Sequence, residues 1–277
     1  MHVLYVVATP IGNLEDISLR ALRLLKEVRL IAAEDTRKTK RLLDHYGINT
    51  PMTSYYEHNK ITKLGYLLRF LETDDLALVS EAGMPGISDP GYELIVAAAG
   101  RGIRVVPVPG PSAITTAVAV AGLPTDQFVY LGFLPRKKSQ RLRLLEEVSR
   151  ERRTLVAFEA PHRLTESLSD ILAVLGNRRV AITRELTKLH EEVFRGTMSE
   201  AVEHFQQPKG EFTIVIDGRH EKPTPSLTGQ IEHEIAALQR RGVPAREAIA
   251  SLSHATGLAR KDLYRAWLRT KKGAKED

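Results

Sequence analysis

The chain has no cysteine among its 277 residues, which excludes disulfides, iron–sulfur clusters, thiolate zinc sites and a cysteine nucleophile. That fits a reducing cytoplasm. No GxxxxGK[ST] stretch occurs, so a P-loop is not expected. No GxGxxG follows a strand-like run, so the fingerprint of Rossmann dinucleotide sites and of common Rossmann-type methyltransferases is missing. Gly-x-Ser-x-Gly is absent, which weakens a serine-hydrolase reading. The nine histidines are scattered and His190-Glu191-Glu192 is not HExxH, so no dedicated metal site is expected. Long apolar runs are lacking too. The opening MHVLYVVATP is a short strand-like run without a basic leader, neither a signal peptide nor a membrane span.

What is present is ordinary globular composition at a length that suggests about two domains of ~150 residues. Lysine and arginine total 40 against 34 acidic residues, a formal charge of +6 that favours a polyanionic partner. The basic residues cluster at Arg37-Lys38-Lys40-Arg41, at Arg136-Lys137-Lys138 with Arg141 and Arg143, and in the C-terminal set from Arg260 to Lys272. Each cluster alone reads most simply as a solvated helix face.

Apolar runs of strand length alternate with helical periodicity from Val3 onward, which gives an α/β class with a mostly parallel sheet. The most informative stretch is Ser80 to Gly91, SEAGMPGISDPG. It follows the apolar DLALV and precedes the helix-like YELIVAAAGRGI, so it leaves the end of a strand, where open α/β sheets bind ligands. Three glycines and two prolines in twelve residues exceed what a simple turn needs, although Asp89 by itself reads as a helix N-cap ahead of Pro90. A second strand ends at Pro109-Gly110-Pro111-Ser112-Ala113, where the helix beyond Ser112 offers free N–H groups. Gly122 to Asp126 breaks the pattern and sets a boundary, giving domains at 1–122 and 123–222. The linker Lys222 to Ser226 leads into an extension, 223–277, with helices at Leu227–Arg240, Ala245–Thr256 and Arg260–Thr270 in a helix-turn-helix-like arrangement. A dimerisation subdomain accounts for that arrangement equally well. These residues support a small-molecule site plus a polyanion surface and do not by themselves name a reaction.

The stretches TPIGNLEDISLRAL, AEDTRKTKRLL, SEAGMPGISDPG, VPVPGPSA, FEAPHRL, TRELTKLHEE and GEFTIVI, in this order, resemble the ribosomal RNA small subunit methyltransferase I family. That family falls in the tetrapyrrole-methylase-like class of S-adenosylmethionine (SAM) enzymes. The resemblance covers nearly all of residues 3 to 217. It implies a two-domain tetrapyrrole-methylase-like α/β fold with a small all-helical C-terminal extension and SAM in the cleft between the domains. It further implies a cytoplasmic homodimer without membrane contact that 2′-O-methylates a cytidine ribose in 16S rRNA of the small ribosomal subunit. On the matching positions, the SAM pocket would use Pro10, Ile11, Glu81, Gly83, Met84, Ile87, Ser112 and Ala113, completed by Phe158, Leu186, Phe212, Thr213 and Ile214. The family loop more often reads SDAGTPGISDPG, so Glu81 and Met84 are departures from Asp and Thr.

Methyl transfer from a sulfonium is an in-line displacement that mainly requires alignment of donor and acceptor. The acceptor hydroxyl is a weak nucleophile, and the candidates for taking its proton are Lys188, Glu185, Glu159 and His162. A basic Lys188 would need its pKa depressed, by burial or by Arg184. Phosphate contacts are expected from Arg37, Lys38, Arg41, Arg163, Arg260, Lys261 and Arg265. Two other readings compete: a precorrin-type C-methyltransferase acting on an anionic macrocycle, and a non-catalytic helix-turn-helix regulator.

Overall fold

The computed structural model describes residues 2–220 and 229–273, with side chains to residue 270. Residues 1–219 and 220–277 form two compact units. The expected linker at Lys222–Ser226 lies outside the described residues.

In the first unit the three central apolar runs become strands buried along nearly their whole length, while the two edge strands are only partly buried. The strands are β1 (Val3–Val7), β2 (Leu30–Ala33), β3 (Met52–Ser54), β4 (Leu76–Val79) and β5 (Arg104–Val108). They form one sheet in the order β3-β2-β4-β1-β5, parallel at every pairing. Helices α1 (Leu19–Glu27) and α2 (Thr36–His45) supply leucines to a core on one face. Helices α3 (Lys60–Phe70) and α4 (Tyr92–Gly100) cover the other. Ser18 caps α1 through its Oγ, which accepts from Ala21 N at 3.1 Å, and Asp35 caps α2 by accepting from Arg37 N and Lys38 N. A side-chain cap of this kind contributes ~1 kcal/mol.

Helix α5 (Ala113–Val120) leaves the first sheet and packs on the second, where Ile114, Ala117 and Val118 meet Val156, Ala181 and Val215. The second sheet contains β6 (Phe128–Phe133), β7 (Thr154–Glu159), β8 (Arg179–Arg184), β9 (Glu192–Thr197) and β10 (Phe212–Ile216), in the order β6-β7-β10-β8-β9. Helices α6 (Lys138–Glu147), α7 (Pro161–Leu175) and α8 (Met198–His204) cover its opposite face. Only β6 and β7 run parallel, so the expectation of mostly parallel pairing holds for the first sheet and fails for the second. The last strand, β10, inserts antiparallel between β7 and β8, a long-range choice that local periodicity does not encode.

One basic cluster is also corrected. Arg141 is fully buried, not solvated. Its guanidinium lies 2.6 Å from Asp170 and 2.8 Å from Glu166 across the α6–α7 contact.

The second unit consists of α9 (Gly229–Arg240), α10 (Ala245–Thr256) and α11 (Arg260–Gly273) around Ile235, Leu252, Leu263 and Trp267. Gly257 ends α10 in the left-handed conformation, and two further residues lead into α11.

Candidate active site

Loops from both sheets of the first unit converge at the carboxyl end of β4, the middle strand of the first sheet. Thr9, in the loop after β1, exchanges two backbone hydrogen bonds of 2.9 Å with Gly83 in the central loop. The same first loop reaches the loop after β8, where Asn13 N donates to Thr187 Oγ1 at 3.0 Å. Gly12 makes this approach possible. A Cβ there would fall on Lys188 Cγ and lie 2.7 Å from Thr187 Oγ1 and 2.8 Å from the Leu186 carbonyl. The three non-glycine residues of positive φ among those described, Ser88, Glu185 and Thr187, all belong to these loops. Strain concentrated in this way marks loops held in place by their surroundings. Ser88 is tied across to β6 by a 2.6 Å hydrogen bond between its Oγ and the Tyr130 hydroxyl.

The loops enclose a cavity of about 520 Å³. Of the expected cofactor residues, Ile11, Glu81, Gly83, Met84, Ile87, Ser112, Ala113, Phe158, Leu186, Phe212 and Thr213 line it, and Pro10 and Ile214 do not. Ile214 is fully buried in the core beneath α6 to α8, because period-two alternation sends it to the face opposite Thr213. Sequence reasoning missed Phe133, Glu34, Thr183 and Glu211 on the lining. Phe133 was the findable one, as an aromatic at the end of a strand beside a loop, and it stands 5.3 Å from the Phe158 ring.

The charge of the lining is one-sided. Five carboxylates face the cavity, from Glu34, Glu81, Asp89, Glu159 and Glu211, and no lysine or arginine lines it among the described residues. Three have cations behind them: Glu81 pairs with Lys38, Glu159 with Arg163, and Glu211 with Lys188. Glu34 accepts from Glu81 N at 3.0 Å, and burial raises its pKa despite Lys38. Asp89 is pushed up to about 7, first by burial and then by the Glu34 carboxylate, against the Ser80 hydroxyl. It caps no helix. Helix α4 starts at Tyr92 with Gly91 as N-cap and no side-chain bond, because the chain turns through Gly91 at φ 153°.

The four candidate proton acceptors differ sharply. Glu159 is closed in by Arg163 Nη2 at 2.5 Å, Ser167 Oγ at 2.5 Å and Ala160 N at 2.7 Å. Lys188 Nζ sits 2.9 Å from Glu185 and 3.0 Å from Glu211. Burial pulls the Lys188 pKa down, but the two carboxylates outweigh it and the pKa is raised. The depressed pKa required of a lysine base is therefore replaced by its opposite. Burial raises Glu185 as well, and its bonds to Lys188 and Glu211 N reverse this to a lowered pKa. His162 is exposed at the start of α7 and does not line the cavity.

The expected phosphate contacts also divide. Arg37 and Arg41 are exposed on α2, Lys38 is committed to Glu81, and Arg260, Lys261 and Arg265 are exposed on α11. Arg163 is corrected. Its side chain is only 12 % exposed and engages Glu159 and the Leu134 carbonyl, which leaves no free face for RNA.

Comparison with known proteins gives the family. The model for Tetrapyrrole (Corrin/Porphyrin) Methylases matches residues 3–202. A protein of Halalkalibacterium halodurans named "Ribosomal RNA small subunit methyltransferase I" is 49 % identical over 272 residues, covering 94 % of this chain and 93 % of its own length. The protein of that name in Bacillus subtilis is 40 % identical over 279 residues, covering 96 % and 94 %. The chain belongs to this methyltransferase family. The namesake in Thermotoga maritima is 52 % identical over 222 residues, which are all of that protein and 79 % of this chain. A crystal structure of diphthine synthase matches the fold with a TM-score of 0.61 at 12 % identity, over 78 % of this chain and 90 % of that one.

The chain is therefore a methyltransferase of the tetrapyrrole-methylase class whose methyl donor is SAM. The cavity fits that donor on its own terms. A carboxylate-lined hollow without cations suits a ligand carrying a sulfonium and an ammonium group. Ser112, Ala113 and Ile114 also line the cavity, at the start of α5, whose first N–H groups have no side-chain cap and suit a carboxylate. Phe158, Leu186, Ile11 and Met84 provide apolar surface for an adenine ring.

Proposed function

We propose that this chain transfers a methyl group from SAM to the 2′-hydroxyl of a cytidine ribose in 16S rRNA of the small ribosomal subunit. The observation that carries the reading is the acid-lined cavity shared by loops of both sheets, in a chain whose relatives bear the small-subunit rRNA name over more than nine tenths of its length. On this reading residues 1–122 and 123–222 are two domains that close on one site, and 223–277 is an RNA-binding extension. SAM supplies an electrophilic methyl. The protein's part is to hold that methyl against one sugar oxygen.

Five carboxylates repel phosphate, so only the neutral edge of a nucleotide would enter, with the phosphates on cations outside. Arg37 and Arg41 on α2 are suited to that task. In the C-terminal unit, Arg246, Arg260, Lys261 and the exposed Tyr264 ring surround a hollow of about 510 Å³, cations beside an aromatic face as single-stranded RNA requires. The same acid lining disfavours an anionic macrocycle. Ile61, Tyr92 and Val96 leave large apolar side chains exposed on the adjacent helices α3 and α4, which supports a homodimer. No helix of the described residues is long and apolar enough to cross a membrane, in keeping with a cytoplasmic protein.

The test is to incubate the protein with methyl-labelled SAM and 30S particles, naked rRNA or a tetrapyrrole, then digest and identify the labelled nucleoside. Label in 2′-O-methylcytidine is expected. Label in a macrocycle, or no label at all, would sink the reading.

A further inference from the structure

The central loop brings one carboxyl to the cavity that neither capping nor ion pairing explains. Asp89 lines the cavity yet caps no helix, and the groups acting on it include no lysine, arginine or histidine. A half-buried aspartate facing a cavity usually has a cation or several backbone donors beside it. This one has the Ser80 hydroxyl and a second carboxyl, Glu34. Pro90 stiffens the chain on one side of it, and on the other Ser88 is held at φ 64° by its bond to Tyr130. The side chain is thus presented from a fixed backbone at the junction of the two sheets.

We propose that Asp89 is the general base that accepts the proton of the acceptor hydroxyl. The inference rests on the ribose O-methylation reading and deepens it. As the new oxygen–carbon bond forms, the hydroxyl proton passes to an Asp89 carboxylate oxygen. The carbon–sulfur bond breaks and its electron pair returns to sulfur. The methylated sugar, S-adenosylhomocysteine and a neutral carboxyl remain, and the proton then leaves to solvent.

Competing candidates are occupied: Glu159 by Arg163 and Ser167, Glu185 by Lys188, and Lys188 by two carboxylates. Asp89 has no such partner, and its pKa near neutrality leaves a substantial fraction ionised and basic at working pH. The groups facing it are Glu34 after β2, Ser80 at the end of β4, and Tyr130 on β6, whose own pKa feels the Asp89 charge; Lys38 of α2 acts on Glu34 and pairs with Glu81. Of these, the Glu34 carboxylate adds to the effect of burial in raising the Asp89 pKa, and so shifts the acid limb upward.

The experiment uses the full-length protein with 30S particles in single-turnover methyl transfer across pH, with calorimetry for SAM and carboxyl-carbon NMR of the free protein. Asp89→Asn is expected to lower kcat about 10²- to 10³-fold and to remove the acid limb, with SAM affinity kept within about threefold. In the wild type, kcat/KM should fall below pH about 7, and the Asp89 carboxyl should titrate there. Glu34→Gln should move both midpoints to lower pH. Unchanged kcat in Asp89→Asn, an ordinary carboxyl titration, or a loss wholly explained by weaker SAM binding would each overturn the proposal while leaving the ribose reading intact. No transfer by the wild type would overturn both.

Discussion

Glu159 and Asp89 line the same cavity from opposite sheets, and their surroundings set them to different work. Glu159, at the end of β7, has no exposed side-chain surface and is met by Arg163, Ser167 and a backbone N–H. Asp89, in the loop after β4, faces another carboxylate and one hydroxyl. The first is held by its partners and anchors the start of α7. The second can gain and lose a proton near neutral pH. Burial alone therefore does not make a carboxyl chemically active. The partner that burial provides, or fails to provide, decides it.

Arg163→Met tests the comparison hardest. It leaves Glu159 buried without its cation, and chemical denaturation should show a loss of ~3–5 kcal/mol. A loss under ~1 kcal/mol would erase the distinction. Asp89 should act in the opposite sense. Its folded pKa, about 7, lies above the unfolded value near 3.9, so the folded state binds the proton more tightly. Its stabilising contribution is complete below about pH 4 and is lost as pH rises through about 7, by about 4 kcal/mol from the shift alone and roughly 2–3 kcal/mol once solvent screening of this half-buried group is allowed for. Asp89→Asn should flatten that part of the stability–pH curve, and an unchanged slope would show that the carboxyl is not buried as described.

Gly12→Ala drives a methyl into the loop after β8 and should cost ~1–3 kcal/mol by the same assay, with weaker SAM binding by calorimetry. Lys188→Met should lower turnover yet leave the acid limb in place, because Lys188 keeps its proton between Glu185 and Glu211. A vanished limb would transfer the base role to Lys188. The smallest effect on chemistry is expected from removing residues 223–277. Turnover at saturating 30S should persist, while affinity falls and its salt dependence becomes shallower by about one slope unit per lost phosphate contact. The shorter Thermotoga namesake motivates this variant.

Much of the architecture was legible. Four-residue apolar runs such as Leu30–Ala33 and Leu76–Val79 are too short for a helix and read as buried strands, and they are. Ser18 and Asp35 mark helix starts through hydrogen bonds made within three residues. Strand β9 was not legible, since Glu192–Thr197 is a half-buried edge without an apolar run. In the cavity the central loop was found because glycine and proline restrict the local backbone, and its individual residues followed from the family resemblance. Ile214 was misplaced by one alternation, and Arg163 and Arg141 by their apparent surface character.

The sequence by itself determined where strands end and which loops carry glycine, because these depend on neighbours within a turn or two, and the order of its motifs over residues 3 to 217 determined the family. Tertiary structure alone decided which carboxylate meets a cation and which meets another carboxylate. Arg163 reaches Glu159 from four residues further along the chain, but Glu34 and Asp89 come together only when β2 and β4 pair side by side. Electrostatic energy depends on distance and burial, and the order of residues along the chain gives neither.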